Sequence, residues 1–297
     1  MPFRTIAVDA PLDLRASIAT LGRRYPGQPK AGADEAWWIG STPEGLATVH
    51  LRHHGGEIAA EAWGAGADWA LDRLPRLVGL DDGAEDFDPP RGLVRELNRR
   101  ARGLRLGSTG RVVDVLIPVI LGQRVTIQAA NESYRRMVWK WGRPAPGPIE
   151  AMTPPDPAAL AALHYHELHP LGVERQRAVV VIEAARRASR LEEVVGMEKD
   201  AAYRRLQAVR GIGIWTAAQA MGVAWGDPDA VPVGDFHIPH MVSWALAGEP
   251  RGDDARMLEL LAPYAGHRRR VLVLLKSAGV TAPRYGPKTA VRSFESQ

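Results

Sequence analysis

The sequence predicts an α+β protein in which a small N-terminal antiparallel sheet with helices packs on a mostly helical core. Three observations carry that prediction. β-branched and aromatic runs separated by Pro/Gly turns occupy the first 88 residues. Apolar residues recur at helical spacing through most of residues 89–297. Between them lies the acidic, Pro-containing stretch "LDDGAEDFDPP", which reads as a boundary. The chain therefore divides into a mixed α/β domain, 1–88, and a helical domain, 89–297.

Each element follows from local chemistry. "FRTIAV" reads as a strand and Pro11–Arg24 as a helix opened by its proline. "EAWWIGS", "GLATVHLRHH" and "GEIAAEAW" read as three further strands. Gly66–Val78, "GADWALDRLPRLV", reads as a helix that Pro75 kinks. In "RVVDVLIPVILGQ" and "VERQRAVVVIEAARRASRL" apolar residues fall at i, i+3, i+4 and i+7, the pattern of amphipathic helices. "WGRPAPGPIEAMTPPDP" is a proline-rich loop between two helical groups. "RGDDARMLELLAPYA" and "RRRVLVLLKSAG" supply two more helices before a basic tail, "PRYGPKTAVRSF".

Composition narrows the function classes. No apolar run approaches the roughly 18 residues of a spanning helix. The N-terminus lacks a signal-peptide core, so a cytoplasmic protein is expected. With no cysteine there is no disulfide framework, thiol nucleophile, thiolate zinc site or iron–sulfur cluster. Charge is unevenly placed. Residues 1–88 hold 8 Lys/Arg against 14 Asp/Glu, a net −6, and the remaining 30 and 20 give residues 89–297 a net +10. A polyanion is thus expected to meet the helical part.

The stretch "LQAVRGIGIWTA" suggests where. "AAYRRLQAVR" reads as a helix closed by Gly211, and Gly213 lets "IWTAAQAMGVAW" begin at once, a helix-hairpin-helix over residues 206–225. The outward N–H groups of Gly211, Ile212 and Gly213 form a concavity that can hold a phosphate without reading a base. An ordinary helix corner is the structural alternative. Twenty-two residues past Gly213, "VPVGDFHIPHMVSWAL" sets Asp235 before a helical run. There it can serve as an N-cap. Held beside a helix N-terminus, it also suits a reaction passing through a sugar cation.

With these motifs in order, the chain resembles the helix-hairpin-helix DNA glycosylases, and within them the alkylbase branch of AlkA-like 3-methyladenine DNA glycosylases. "GIGIWTA" is similar to the branch's hairpin, "GDFHIPH" to its catalytic loop, and "VLIPVILGQRVTIQAA" to the helix and turn that enter the duplex. The β-rich opening is similar to its N-terminal domain, so the resemblance covers almost the whole chain. It implies Asp235 as the catalytic aspartate, Gln123 and Arg124 as the duplex wedge, and Trp215 and His267 as base-pocket walls. It also implies a structural sodium or potassium ion on the backbone carbonyls of Gln207, Val209 and Ile212, with no cofactor needed for catalysis. Arg124 stands where the branch carries an apolar wedge, and His267 where it carries a second tryptophan.

The resemblance implies a monomeric, nucleoid-associated bacterial enzyme that flips alkylated purines out of double-stranded DNA and leaves an abasic site in base excision repair. After Gly213 come Ile214, Trp215 and Thr216, none able to form a Schiff base, so a monofunctional enzyme is expected. A non-catalytic protein that holds distorted DNA through the hairpin is the alternative. The histidines of "HYHELH" (His164, His166, His169) and of "HIPH" (His237, His240) lack cysteine or HExxH partners, and neither set reads as a zinc site.

Overall fold

The computed structural model describes residues 2–22 and 25–283. Strands β1 (Phe3–Ala7), β2 (Glu35–Thr42), β3 (Gly45–His54) and β4 (Glu57–Trp63) form one antiparallel sheet in the order β1-β4-β3-β2. Alternation gives the sheet two unlike faces. Ala36, Trp38, Val49, Leu51, Ile58 and Ala60 are buried against α1 (Leu14–Ala19), α2 (Ala67–Asp72) and α3 (Leu74–Val78). The other face carries a stacked row of Trp63, Trp37 and His50.

Two local predictions change. The first helix opens at Leu14, because Asp13 is its N-cap and accepts the Ala16 N–H at 2.8 Å. The 66–78 segment is two helices that part at Arg73. Pro75 sits in the first turn of α3, where a missing N–H costs no hydrogen bond.

The helical part contains α4 (Leu93–Arg100), α5 (Val112–Leu121), α6 (Ile127–Trp141), α7 (Pro157–Ala161), α8 (Arg175–Arg186), α9 (Ala188–Glu192) and α10 (Lys199–Gln207). It continues through α11 (Ile214–Ala220), α12 (Ile238–Ala247), α13 (Asp254–Leu261) and α14 (Arg268–Ser277). It is built around two cores. Leu116, Met137, Val181, Leu206 and Ala217 belong to the first, formed by α5 to α11. Val94 and Leu97 of α4 join Val242, Met257 and Val271 of α12–α14 in the second. α4 thus packs with the last three helices, leaving two lobes that face each other across the loop from residue 226 to 237. The basic tail, from residue 284 on, lies outside the described residues.

Within the predicted boundary stretch, Asp82 is buried in a cluster of charges. The Asp82 carboxylate accepts the Leu106 N–H at 2.6 Å and pairs with Arg270 at 3.0 Å and Arg105 at 3.4 Å. Arg270 also donates to the Asp82 carbonyl at 2.8 Å, so α14 is tied to the end of the sheet domain. The proline-rich loop is not a free connection either. Its Ala145 and Ala151, paired N–H to carbonyl at 2.8 Å, cover Ile39 of β2.

Asp114 of α5 makes the third tie. Its carboxylate accepts the Ser41 N–H at 2.9 Å and the Ser41 hydroxyl at 2.8 Å. Burial pushes its carboxyl up to about 6, against the pull of these donors. Between about 4 and 6 the folded protein therefore holds a proton that the unfolded chain has released, and stability falls as pH rises through that window. Asp114→Asn removes this titration. Urea midpoints of wild type and variant, compared between pH 4 and pH 7, should show the wild type losing ground to the variant, mostly below pH 6.

Candidate active site

The turn of the hairpin is longer than the sequence suggests. α10 ends at Gln207, three residues before the predicted end, and the chain turns through residues 208–213. Gly211 takes a left-handed φ of 94°, and a Cβ there would overlap the Val180 side chain of α8. Ile212 is buried as the hairpin's anchor, and its N–H donates to the Val209 carbonyl at 2.9 Å. Gly213 has φ −87° and open space around its missing Cβ. Gly213 and Ile214 are both exposed, so the α11 N-terminus opens on solvent. α11 then widens into one π turn at Met221–Trp225.

Opposite the hairpin, Gly234 turns at φ 91° and donates its N–H to the Asp254 carboxylate at 3.0 Å. This turn presents Asp235. Its Oδ1 accepts the N–H groups of His237 at 2.8 Å and Ile238 at 3.0 Å, capping α12. Its Oδ2 accepts the indole N–H of Trp215 at 2.9 Å. Trp215 belongs to one lobe and Asp235 to the other, so this bond spans the gap between them. Trp215 is half-buried, not a core residue, and its neighbour Ile214 is exposed. Phe236, beside Asp235, is 78% exposed, with His237 set edge-on at 4.9 Å. Sequence reasoning passed over Phe236, although an aromatic residue directly after the aspartate was there to be seen.

The two wedge residues part ways. The Gln123 amide donates to the Gly211 carbonyl at 3.0 Å and to the Thr216 hydroxyl at 2.9 Å, fastening the end of α5 to the hairpin. Arg124 is exposed and has φ 57°, the one positive value at a non-glycine among the described residues. Such a backbone is held by its surroundings and clusters at functional sites.

His267 stands at the N-cap position of α14. Its ring lies 5.0 Å from that of Phe87, and its imidazole is pushed down by burial and by Arg270. None of these contacts involves Trp215 or Asp235. α14 instead sends Lys276 toward the aspartate. Lys276 is itself exposed at the surface of α14, and partial desolvation there lowers it from the ordinary lysine range, against the pull of Asp235, while Arg269 pushes the same way.

At the hairpin the Gln207 and Ile212 carbonyls accept no hydrogen bond among the described residues, a donor-poor setting that fits a monovalent cation. Among the described residues no three His, Cys, Asp or Glu side chains converge as a metal site. His164 and His166 stack on each other, and His240 accepts the Gly252 N–H at 3.2 Å.

Residues 117–264 match the family described as HhH-GPD superfamily base excision DNA repair protein. The chain belongs to the HhH-GPD superfamily. It is 29% identical over 174 residues to a probable bifunctional transcriptional activator/DNA repair enzyme AlkA of Mycobacterium tuberculosis, covering 57% of this chain and 35% of the relative. The matched region thus spans about a third of that relative's length. The HhH-GPD fold is shared with a 3-methyladenine DNA glycosylase from Archaeoglobus fulgidus, with TM-score 0.75, 18% identity, and 92% and 97% of the two chains covered. It is also shared with an 8-oxoguanine glycosylase/lyase from Clostridium acetobutylicum in complex with double-stranded DNA, with TM-score 0.67, 14% identity, and coverage of 94% and 99%. No helix among the described residues is long and apolar enough to cross a membrane.

The two HhH-GPD hairpin glycines should differ sharply in tolerance. Gly211→Ala meets both a positive φ and Val180, and should cost at least about 2 kcal/mol. Gly213→Ala meets neither and should shift stability by less than about 0.5 kcal/mol. Urea denaturation of both variants checks the contrast.

Proposed function

We propose that this chain is a monofunctional DNA N-glycosylase that extrudes a damaged purine from duplex DNA and releases it, leaving an abasic site. The observation that supports this reading most is the Asp235 carboxylate fixed by three N–H donors from both lobes. Alkylated purines of the 3-methyladenine type are the class that the resemblance implies.

The chemistry needs little from the protein except position and charge. An extruded nucleotide brings its sugar to the gap between hairpin and aspartate. As the C1′–N bond breaks, its electron pair leaves with the base and the sugar becomes oxocarbenium-like. Asp235, immobilised beforehand, stabilises that cation without reorganising. Water adds to C1′ and gives up a proton. Arg124 fills the space left in the stack, while Gln123 keeps the wedge turn in register with the hairpin. The Gly211 and Gly213 N–H groups hold a backbone phosphate; that of Ile212, which the sequence suggested as a third, is taken by the Val209 carbonyl. A sodium or potassium ion on the Gln207, Val209 and Ile212 carbonyls would support that turn by charge. A merely DNA-holding protein would have no use for a carboxylate pinned in this way beside the phosphate site.

Asp235→Asn keeps the shape and removes the charge. Release of bases from methylated duplex DNA should fall by roughly 10²–10³, while duplex binding persists. Retention of more than about a tenth of the rate, a barrier change under about 1.4 kcal/mol, would reduce Asp235 to a helix cap. Treated DNA should stay unbroken until hot alkali cleaves the abasic site. A borohydride-trapped adduct would contradict monofunctional action and point to Lys276.

A further inference from the structure

The loop between the lobes is anchored at two nearby aspartates, one to each lobe. Asp227 holds it to the hairpin lobe. Its Oδ2 accepts the Tyr203 hydroxyl at 2.8 Å and its Oδ1 accepts the Lys199 ammonium at 2.9 Å, both from α10, the helix that enters the hairpin. Burial and the Asp227 charge push the Tyr203 hydroxyl well above its ordinary range, so it remains a donor. Backbone bonds fasten the same point to the helix that leaves the hairpin. The Met221 carbonyl of the π turn accepts the Gly226 N–H at 2.9 Å and the Asp227 N–H at 3.0 Å.

Two residues on, Asp229 holds the loop to the opposite lobe. It accepts the Arg268 N–H, at the open start of α14, at 3.0 Å, and the Arg268 guanidinium at 2.8 Å and 2.5 Å. Burial pushes the Asp229 carboxyl up, but the Arg268 donors outweigh it and hold the group below the ordinary carboxylate range. Between the two aspartates, the Pro228 carbonyl accepts the Arg270 N–H at 3.3 Å. Asp227 Oδ1 also accepts the Asp229 N–H at 3.0 Å, joining one anchor to the other. Arg269, the middle arginine of the three that open α14, has no acceptor at its Nη1 among the described residues. It adds packing alone, against Gly222 of the π turn.

Two residues of chain span at most about 7 Å, so the anchors leave no slack. On one side of them, α11 and its π turn join Trp215 to Asp227. On the other, Asp235 stands six residues past Asp229 and caps α12, which shares its core with α14. Whatever fixes Asp227 against Asp229 therefore fixes both ends of the Trp215–Asp235 bond. That one bond is too weak to align two lobes by itself.

We propose that Asp227 and Asp229 are positioning residues for the Asp235 carboxylate: they strap the lobes together and set the Trp215–Asp235 distance before DNA arrives. This rests on the glycosylase reading and adds that the site is assembled in the free protein, so duplex binding energy need not close it. A reacting group displaced by about 1 Å loses on the order of 10²-fold in rate.

The test follows base release from methylated duplex DNA in single turnovers, with the full chain. Asp227→Ala removes the side-chain anchors to α10. It should slow release at saturating protein at least about tenfold, while the concentration for half-saturation changes little. Asp227→Asn keeps an acceptor for Lys199 and can donate to the Tyr203 hydroxyl turned the other way, so it should stay within about threefold of wild type. In an Asp235→Asn background, Asp227→Ala should cost less than about twofold, because a residue that acts through Asp235 has nothing left to position. Thermal unfolding is followed for each variant. If Asp227→Ala does not fold, Tyr203→Phe, which removes a single anchor, replaces it in both backgrounds, with an expected loss of at least about threefold. An equal loss in both backgrounds would make the strap a general stabiliser and overturn the inference. So would an undiminished rate in folded Asp227→Ala, or a loss in Asp227→Asn as deep as in Asp227→Ala, which would implicate charge instead of position. Each of these leaves the glycosylase reading standing. A wild type that releases no base removes that reading, and this inference with it.

Discussion

One hydrogen bond organises the functional end of this molecule. The Trp215 indole N–H reaches from the hairpin lobe to Asp235 on the opposite lobe, and everything near it serves to hold the two ends at 2.9 Å. On one side, Gly211 packs against Val180, Ile212 is buried, and Gln123 clasps the turn. On the other, Asp254 binds the Gly234 N–H and α12 offers its first N–H groups to the carboxylate. Loosening either support would let the carboxylate move relative to the hairpin. Electrostatic stabilisation of a cation depends on a charge that is already in place.

The rest of the fold keeps the lobes from drifting. Two buried polar ties and one half-buried pair do this where apolar packing alone would leave orientation undetermined. Asp82 gathers Arg105 and Arg270, Asp114 holds Ser41, and Asp229 holds Arg268. Each costs desolvation and is direction-specific in return, which is how buried polar pairs set geometry more than they add stability. Around this rigid frame the exposed and strained groups lie together in sequence with the site: Arg124 at positive φ, Ile214 beside Trp215, and Phe236 beside Asp235. Against solvent they are unfavourable.

Much of this was legible in the sequence, because it depends on local rules. Four strands alternate as their residues require, Gly211 takes the left-handed turn, and Asp235 caps a helix as its place before an apolar run implies. What escaped prediction depends on residues far apart in the chain. Nothing in the boundary stretch "LDDGAEDFDPP" reveals that Arg270 will reach Asp82. Nor does the proline-rich loop reveal its partner, Ile39, which lies about a hundred residues away. The resemblance implies His267 as a base-pocket wall, and the ring contact the structure gives it is with Phe87. Its helix instead brings Arg269 to Gly222, and a glycine in "AMGVAW" does not announce that its missing side chain will be replaced by a guanidinium. Nor does a run of three arginines show which one will lack a counter-ion.

The central claim is that a pinned carboxylate at Asp235 stabilises positive charge on a sugar. A binding comparison tests it directly. One duplex carries a pyrrolidine in place of a nucleotide sugar, protonated where the developing cation would be, and the other carries a neutral tetrahydrofuran. Wild type should prefer the charged duplex by at least about tenfold, about 1.4 kcal/mol, and Asp235→Asn should lose that preference while still binding both. Equal affinity of the wild type for the two duplexes, or a preference that survives Asp235→Asn, would contradict it.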